Sequence, residues 1–144
     1  MPVTITINTN YTVELPREQV PDWGVCWNFL EDQPDSIDNI DFPVNIRDSK
    51  GNIISFTDES LAFLQQINQG NFSLFTSDNP TEDDFNEINR YIFENKTCKV
   101  QDVVNVLILV NFMDNQKIQK RICGFIARMI RGKSADEIQK IFTE

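Results

Sequence analysis

The sequence predicts an α+β fold in which a small sheet packs against a cluster of helices. In short segments of the first half, apolar and polar residues alternate with a period of two, which is typical of half-buried strands. In the last third, apolar residues recur every three or four positions, which is typical of amphipathic helices. The chain has 144 residues, which suffices for one domain with a hydrophobic core of its own.

Two strand regions are predicted. Residues 4–8 and 11–15 both alternate, and the short polar stretch between them indicates a β-hairpin. Alternation resumes over residues 42–56, around a polar turn that contains Gly51. The stretch between the two regions, residues 31–41, is acidic and polar, so we expect a loop there.

Three helical segments are predicted in the first two thirds of the chain. Apolar residues over positions 17–31 recur at helical spacing. Thr57 offers an N-cap for a second helix, which ends at Gly70. Residues 71–84 are polar and contain a proline, so we expect a loop, and the apolar residues over positions 85–92 indicate a short helix or a turn.

The last third is predicted to contain three helices in close succession. The first, over residues 100–113, is apolar on most sides and is therefore expected to be buried. The second, over residues 118–130, carries its apolar residues in one wide stripe, and Gly132 suits a left-handed stop. Ser134 and Glu137 fit a capping box that starts the third helix, which is too short to be stable alone and must dock.

Three features of these helices each have two interpretations. Asn111 either caps its own helix end together with Asp114 or forms an exposed contact beside Phe112. The apolar stripe of the second helix is either part of the core or a partner surface. The basic residues beside the stripe are either a solvated face or a site for an acidic partner. These basic residues are Lys117, Lys120, Arg121, Arg128 and Arg131.

The charge of the chain is negative and unevenly distributed. The net charge is −9, and residues 1–99 carry 17 acidic and 6 basic side chains, whereas residues 100–144 carry 5 acidic and 7 basic ones. Such an acidic chain is repelled by nucleic acid, so we expect no nucleic-acid partner. The negative charge serves either solubility or the attraction of a basic protein partner.

The residue types present argue against an enzyme. The chain has no histidine, which removes histidine-based nucleophilic and general-base mechanisms and the usual zinc sites. Paired acidic residues such as Asp83 and Asp84 fall in predicted loops, and Cys98 and Cys123 have no evident base beside them. We therefore expect no catalytic residues, no metal and no cofactor.

Sequence features also bear on the compartment. Three widely spaced cysteines are odd in number, which favours a reducing environment over a disulfide framework. No stretch approaches the roughly 20 apolar residues that a membrane span needs, and the N-terminus lacks the pattern of a secretory signal. We expect an intracellular protein, in the cytoplasm or the nucleus, without a membrane partner.

Two segments resemble the Skp adaptor family (S-phase kinase-associated protein), to which Elongin C is related. Residues 129–138, Met-Ile-Arg-Gly-Lys-Ser-Ala-Asp-Glu-Ile, are similar to the family signature Met-Ile-Lys-Gly-Lys-Thr-Pro-Glu-Glu-Ile. Residues 107–114, Leu-Ile-Leu-Val-Asn-Phe-Met-Asp, resemble the family's Leu-Ile-Leu-Ala-Ala-Asn-Tyr-Leu-Asp. In the first half, residues 29–32 look like the family's Met-Leu-Glu-Asp.

The resemblance implies a fold and a function. The fold is BTB/POZ, with a small three-stranded type of sheet packed against helices and followed by C-terminal helices. It implies a BTB/POZ-like domain over residues 1–114 and, over residues 115–144, a helical extension of the Skp dimerisation and F-box-binding type. The function is that of an adaptor subunit in a cullin–RING ubiquitin ligase of the SCF type, which bridges a cullin and an F-box substrate receptor.

The family's contact positions carry over to particular residues. The cullin side falls on Asn111 and Phe112. The F-box side falls on Ile118, Ile122, Phe125, Ile126, Met129, Ile130, Ile138, Ile141 and Phe142.

Two departures from the family pattern affect the F-box side. Residues 118–120 are Ile-Gln-Lys where the family has Leu-Leu-Asp, and the family continues with two further helices beyond the position of Glu144. We expect either a truncated chain or altered F-box binding. The alternative function is a divergent BTB-fold interaction module without ligase work. Such a module would form a homodimer, or would be a viral or protist mimic of the host adaptor.

Overall fold

A computed structural model describes residues 2–7, 11–33, 37–41 and 45–143 and has an α+β architecture. A small mixed sheet of three strands packs with several helices around a hydrophobic core. The predicted fold class, α+β with a small sheet, is therefore confirmed.

The sheet has the strand order β2-β1-β3, with β1 over Val3–Ile7, β2 over Tyr11–Leu15 and β3 over Asn39–Asp41. Strands β1 and β2 are antiparallel, with Val3 opposite Leu15, which confirms the strands of the predicted hairpin. The turn between them lies outside the described residues. Strand β3 pairs in parallel with β1, so the predicted loop over residues 31–41 is wrong for its last three residues.

The second predicted strand region is reduced to one bridge. Arg47 and Ile53 form an isolated antiparallel bridge, and the amide of Ile54 donates to the carbonyl of Ile46 at 3.0 Å. The turn between them is present, with Gly51 at a φ of +85°. Residues 42–44 of this prediction lie outside the described part of the chain.

The first predicted helix is divided into two parts. A 3₁₀ helix over Arg17–Asp22 contains Pro21 and is followed by helix α1 over Gly24–Leu30. Val20 is buried. Trp27 is also one of the apolar residues at helical spacing in this segment, but its side chain is 42% exposed. The helix is thus confirmed, but its apolar face is only partly covered.

Helix α2 covers Asp58–Asn68 and begins at the predicted Thr57 cap, whose side chain accepts from the amide of Ser60. Residues 71–84 were expected to form a loop, and this is wrong in part. Within them lie the short helix α3, over Ser73–Thr76, and the first turn of helix α4, over Glu82–Asn89. Helix α4 continues into a π-helical turn over Arg90–Glu94.

The three C-terminal helices are confirmed as α5 over Val100–Phe112, α6 over Gln116–Ile130 and α7 over Ala135–Thr143. Helix α5 packs against α2, α6 and α7, as expected for a central apolar helix. One continuous core joins buried residues of the sheet, α2, α5 and α6. This core extends across residue 114, the boundary between the two segments that the resemblance implies. Among the described residues, no helix combines the length and the apolar character that crossing a membrane requires.

Candidate protein-interaction surface

The C-terminal end of α5 is closed by a Schellman motif. The amide of Asn115 donates to the carbonyl of Val110, and the amide of Asp114 donates to the carbonyl of Asn111, both at 3.2 Å. Asp114 takes the left-handed conformation that this motif needs, with a φ of +59°. Asn111 therefore contributes its backbone carbonyl to the helix end, and its side chain is exposed.

Helix α1 anchors the same end of α5 from the side. The amides of Gly24 and Val25 donate to the carbonyls of Asp114 and Met113, at 3.0 and 3.2 Å. The first amides of a helix have no partner within their own helix, so these bonds satisfy donors of α1. Phe112 is half-buried and packs against the core. The residues predicted to face a cullin thus lie at a corner of the fold that hydrogen bonds from α1 join to the end of α5.

The connection from α5 to α6 is only three residues long. Asn115 ends the Schellman motif of α5 and is also the N-cap of α6, because its Oδ1 accepts from the amide of Ile118 at 3.1 Å. Its side chain is buried. This cap was not recognised from the sequence, although an asparagine directly before a helix is a known start signal.

The apolar stripe of α6 is divided between the core and a half-exposed edge. Four of its six residues are buried in the core of this chain, namely Ile118, Ile122, Phe125 and Met129. The other two, Ile126 and Ile130, are half-buried and pack against the core from outside. Most of the stripe therefore stabilises the fold, and only its edge is available for a partner.

Helices α6 and α7 are joined by a type II turn. Arg131 has φ and ψ of −60° and 130°, Gly132 has a φ of +74°, and the amide of Lys133 donates to the carbonyl of Ile130. Ser134 then caps α7 as predicted, since its Oγ accepts from the amide of Glu137 at 3.2 Å.

Helix α7 docks onto α5 of the same chain. Its three apolar residues remain half-buried rather than covered. With the outer residues of the α6 stripe, they are the half-buried members of the predicted F-box set, and we call these residues the α6–α7 edge. This edge consists of Ile126, Ile130, Ile138, Ile141 and Phe142.

Two of the basic residues on α6 bind the chain itself. The guanidinium of Arg121 donates to the carbonyls of Ser77 and Asp78, at 3.1 and 3.2 Å. Arg128 lies over the ring of Phe85 and forms an ion pair with Glu82. Part of the basic face therefore binds the segment after α3, through backbone carbonyls, and the N-terminal part of α4. The remaining three, Lys117, Lys120 and Arg131, are exposed.

Two of the three thiols, those of Cys26 and Cys98, are buried. Burial raises the pKa of both Cys26 and Cys98 to about 12, so both are neutral at physiological pH. Cys123 is exposed. Within the described ranges, no group of three or more cysteine, aspartate or glutamate side chains could hold a metal ion.

Several large hydrophobic side chains outside the predicted sites are exposed. The spacing of apolar residues in the sequence could not show that these side chains are exposed, because neighbouring elements decide which part of an apolar face is covered. They are Trp27, Phe29, Ile37, Ile53 and Phe93.

No protein-family model matches the chain, and no curated protein matches it either.

Proposed function

We propose that the chain is an adaptor with a BTB/POZ fold that bridges a cullin and an F-box protein in a cullin–RING ubiquitin ligase, inside the cell. One observation carries the proposal. The half-buried α6–α7 edge and the exposed side chain of Asn111 lie on three consecutive helices, of which α5 packs against both α6 and α7. Such an arrangement offers two surfaces for two different proteins.

The F-box contact is proposed at the α6–α7 edge. Half-buried aliphatic and aromatic residues that pack against a protein core are typical of interface anchors. A partner can complete their burial, and little side-chain entropy is lost because their rotamers are already restricted. The buried members of the predicted set, Ile118, Ile122, Phe125 and Met129, support the edge by fixing α6 on the core.

The cullin contact is proposed at Asn111 and Phe112. The exposed amide of Asn111 can form hydrogen bonds with a partner, and the half-buried ring of Phe112 lies beside it in sequence. The bonds from α1 to Asp114 and Met113 keep this corner in place before binding.

A second candidate function is that of a BTB-fold module that associates with itself and has no role in a ligase. It is favoured by the exposure of Trp27 and Phe29 on α1, outside both proposed contacts. Exposed aromatic residues of this size are enriched at protein interfaces.

Calorimetric titration with a cullin N-terminal domain tests the cullin contact. Asn111→Lys is expected to weaken binding at least about tenfold, because a lysine cannot replace the amide in its hydrogen bonds and must be desolvated. The matched control is Gln101→Lys, which adds the same charge at an exposed position near the other end of α5. Equal affinity in Asn111→Lys and the unaltered chain would remove the proposed contact.

The F-box contact is tested with an F-box peptide on the edge itself. Ile138→Asp is expected to lower the affinity at least about tenfold, since it places a charge in an apolar contact. Gln139→Asp, at the exposed neighbouring position of α7, should leave the affinity unchanged. If both variants bind as well as the unaltered chain, the edge does not hold an F-box.

A further inference from the structure

A groove opens between the π-helical turn, the residues before α5, and helix α7. Its volume is about 300 Å³, which is large enough for one or two side chains of a partner. Its walls include Ile92, Phe93, Lys96, Cys98, Lys99 and Ile141. We call it the Lys96–Ile141 groove.

The floor of the groove is apolar. Ile92 and Cys98 are buried, and the Cys98 thiol is neutral because burial raises its pKa. Phe93 is 43% exposed, and Ile141 contributes from α7. An apolar side chain that enters here removes these surfaces from water, which is favourable.

The rim of the groove is basic in an acidic protein. Lys96 and Lys99 are both exposed, and the lining contains no carboxylate. In the described part of the chain, neither ammonium forms an ion pair. Residues 1–99 carry 17 acidic and only 6 basic side chains, so two of those six lie beside one groove.

Besides burial, the carboxylates of Asp102 and Glu59 raise the pKa of Cys98, but neither residue lines the groove. Asp102 is buried, and its carboxylate accepts from the hydroxyl of Thr57 at 2.8 Å and from the backbone amide of Lys99 at 2.9 Å. Glu59 is exposed on α2 and is not part of the lining. The groove thus combines an apolar floor with a positive rim.

We propose that the Lys96–Ile141 groove binds a partner peptide in which an apolar side chain is flanked by carboxylates. The apolar side chain packs against Ile92 and Ile141, and the carboxylates contact Lys96 and Lys99. The groove shares Ile141 with the α6–α7 edge, but its other lining residues lie outside that edge, so a chain that binds no cullin and no F-box can still bind this peptide.

Fluorescence anisotropy tests the proposal on the full chain, with a labelled peptide in which a Leu-Leu pair is flanked by glutamates. We expect binding that weakens as salt rises from about 50 mM to about 500 mM, because exposed charges are screened. The double variant Lys96→Glu/Lys99→Glu should bind at least about tenfold more weakly. Lys120→Glu/Lys133→Glu, which reverses two exposed lysines elsewhere, should remain within about twofold.

A neutralising pair, Lys96→Gln/Lys99→Gln, guards against a folding effect. It should give an intermediate loss at an unchanged thermal midpoint. The proposal would be overturned if the glutamate-flanked peptide did not bind, or if a lysine-flanked Leu-Leu peptide bound equally well. It would also be overturned if the control pair Lys120→Glu/Lys133→Glu lost as much affinity as Lys96→Glu/Lys99→Glu. Displacement of the peptide by dodecanoate, with no response to Lys96→Glu/Lys99→Glu, would overturn it in favour of an apolar small-molecule site.

Discussion

The guanidinium carbon of Arg128 lies 3.9 Å from the centre of the Phe85 ring, which joins α6 to α4. Arg128 also pairs with Glu82 in the first turn of α4, but both side chains are substantially exposed. A cation over an aromatic face is worth about 0.5–1 kcal/mol at such a site, whereas an exposed ion pair contributes little. The contact with the ring is therefore the main interaction of Arg128.

Replacing Arg128 should cost more than replacing its acidic partner. We expect Arg128→Gln to lower the free energy of unfolding by about 0.5–1 kcal/mol and Glu82→Gln to change it by less than about 0.5 kcal/mol. Urea unfolding measures both values. A loss in Glu82→Gln as large as the loss in Arg128→Gln would show that the ion pair, and not the ring contact, is the dominant interaction of Arg128.

The side-chain amide of Asn68 is buried, being 2% exposed, and among the described residues neither its Nδ2 nor its Oδ1 has a hydrogen-bond partner. Leu64 and Met113 line the same small cavity. We expect Asn68→Leu to raise the free energy of unfolding by about 1–2 kcal/mol, because an unsatisfied buried polar group is costly. Thermal and urea unfolding provide the measurement.

Gln69→Leu is the control for this substitution, since Gln69 is exposed at the next position and should respond by less than about 0.5 kcal/mol. A loss of stability in Asn68→Leu would contradict the view that the unsatisfied amide is costly.

Gly132 determines how α7 is held. Its φ of +74° suits the third position of a type II turn, and apart from its chain neighbours no described residue has an atom within 4 Å of where a Cβ would be. We expect Gly132→Ala to strain this turn by about 1 kcal/mol and to speed hydrogen exchange in α7 more than in α5. Gly51→Ala introduces similar strain in another turn and should leave α7 unchanged. Equal protection of α7 in Gly132→Ala and the unaltered chain would contradict this account.

The buried thiols predict a loss of stability in alkali. The pKa of Cys26 and of Cys98 is about 12 in the fold against 9.0 for an unperturbed thiol, so the unfolded chain releases these protons first. The contribution of these two thiols to the free energy of unfolding is fully present below about pH 9. It falls as the pH rises towards 12, by at most about 1.4 kcal/mol per pH unit for each thiol. Burial also raises the pKa of Tyr91, which acts in the same direction.

Unfolding in urea over this pH range measures the slope. Cys98→Ala should reduce it, whereas Cys123→Ala, at an exposed position, should not. A slope that is the same in Cys98→Ala would show that this thiol does not titrate differently in the folded and unfolded states.

Local patterns predicted the parts of the fold that depend on nearby residues. The Thr57 and Ser134 caps and the three C-terminal helices follow from spacing and capping within a few positions. Strand β3 escaped prediction because only Ile40 of its three residues is buried and its pairing with β1 spans more than thirty residues. Such features depend on contacts between residues that are distant in sequence, which local patterns do not contain.

The candidate site shows the same division. Spacing identified the α6 stripe, but it could not tell that Ile122 is buried whereas Ile126 reaches the edge, because that depends on which helices pack alongside. The basic face of α6 was also evident from the sequence. The hydrogen bonds from Arg121 to Ser77 and Asp78 were not, because these residues lie more than forty positions before Arg121 in the chain.

Light scattering coupled to size-exclusion chromatography tests the adaptor proposal most directly. The full chain is mixed with a cullin N-terminal domain and an F-box fragment. The account predicts one ternary complex with equal amounts of the three components, because the Asn111 corner and the α6–α7 edge bind different partners. Elution of the chain as a stable homodimer, without either partner, would contradict the account and support the self-association module.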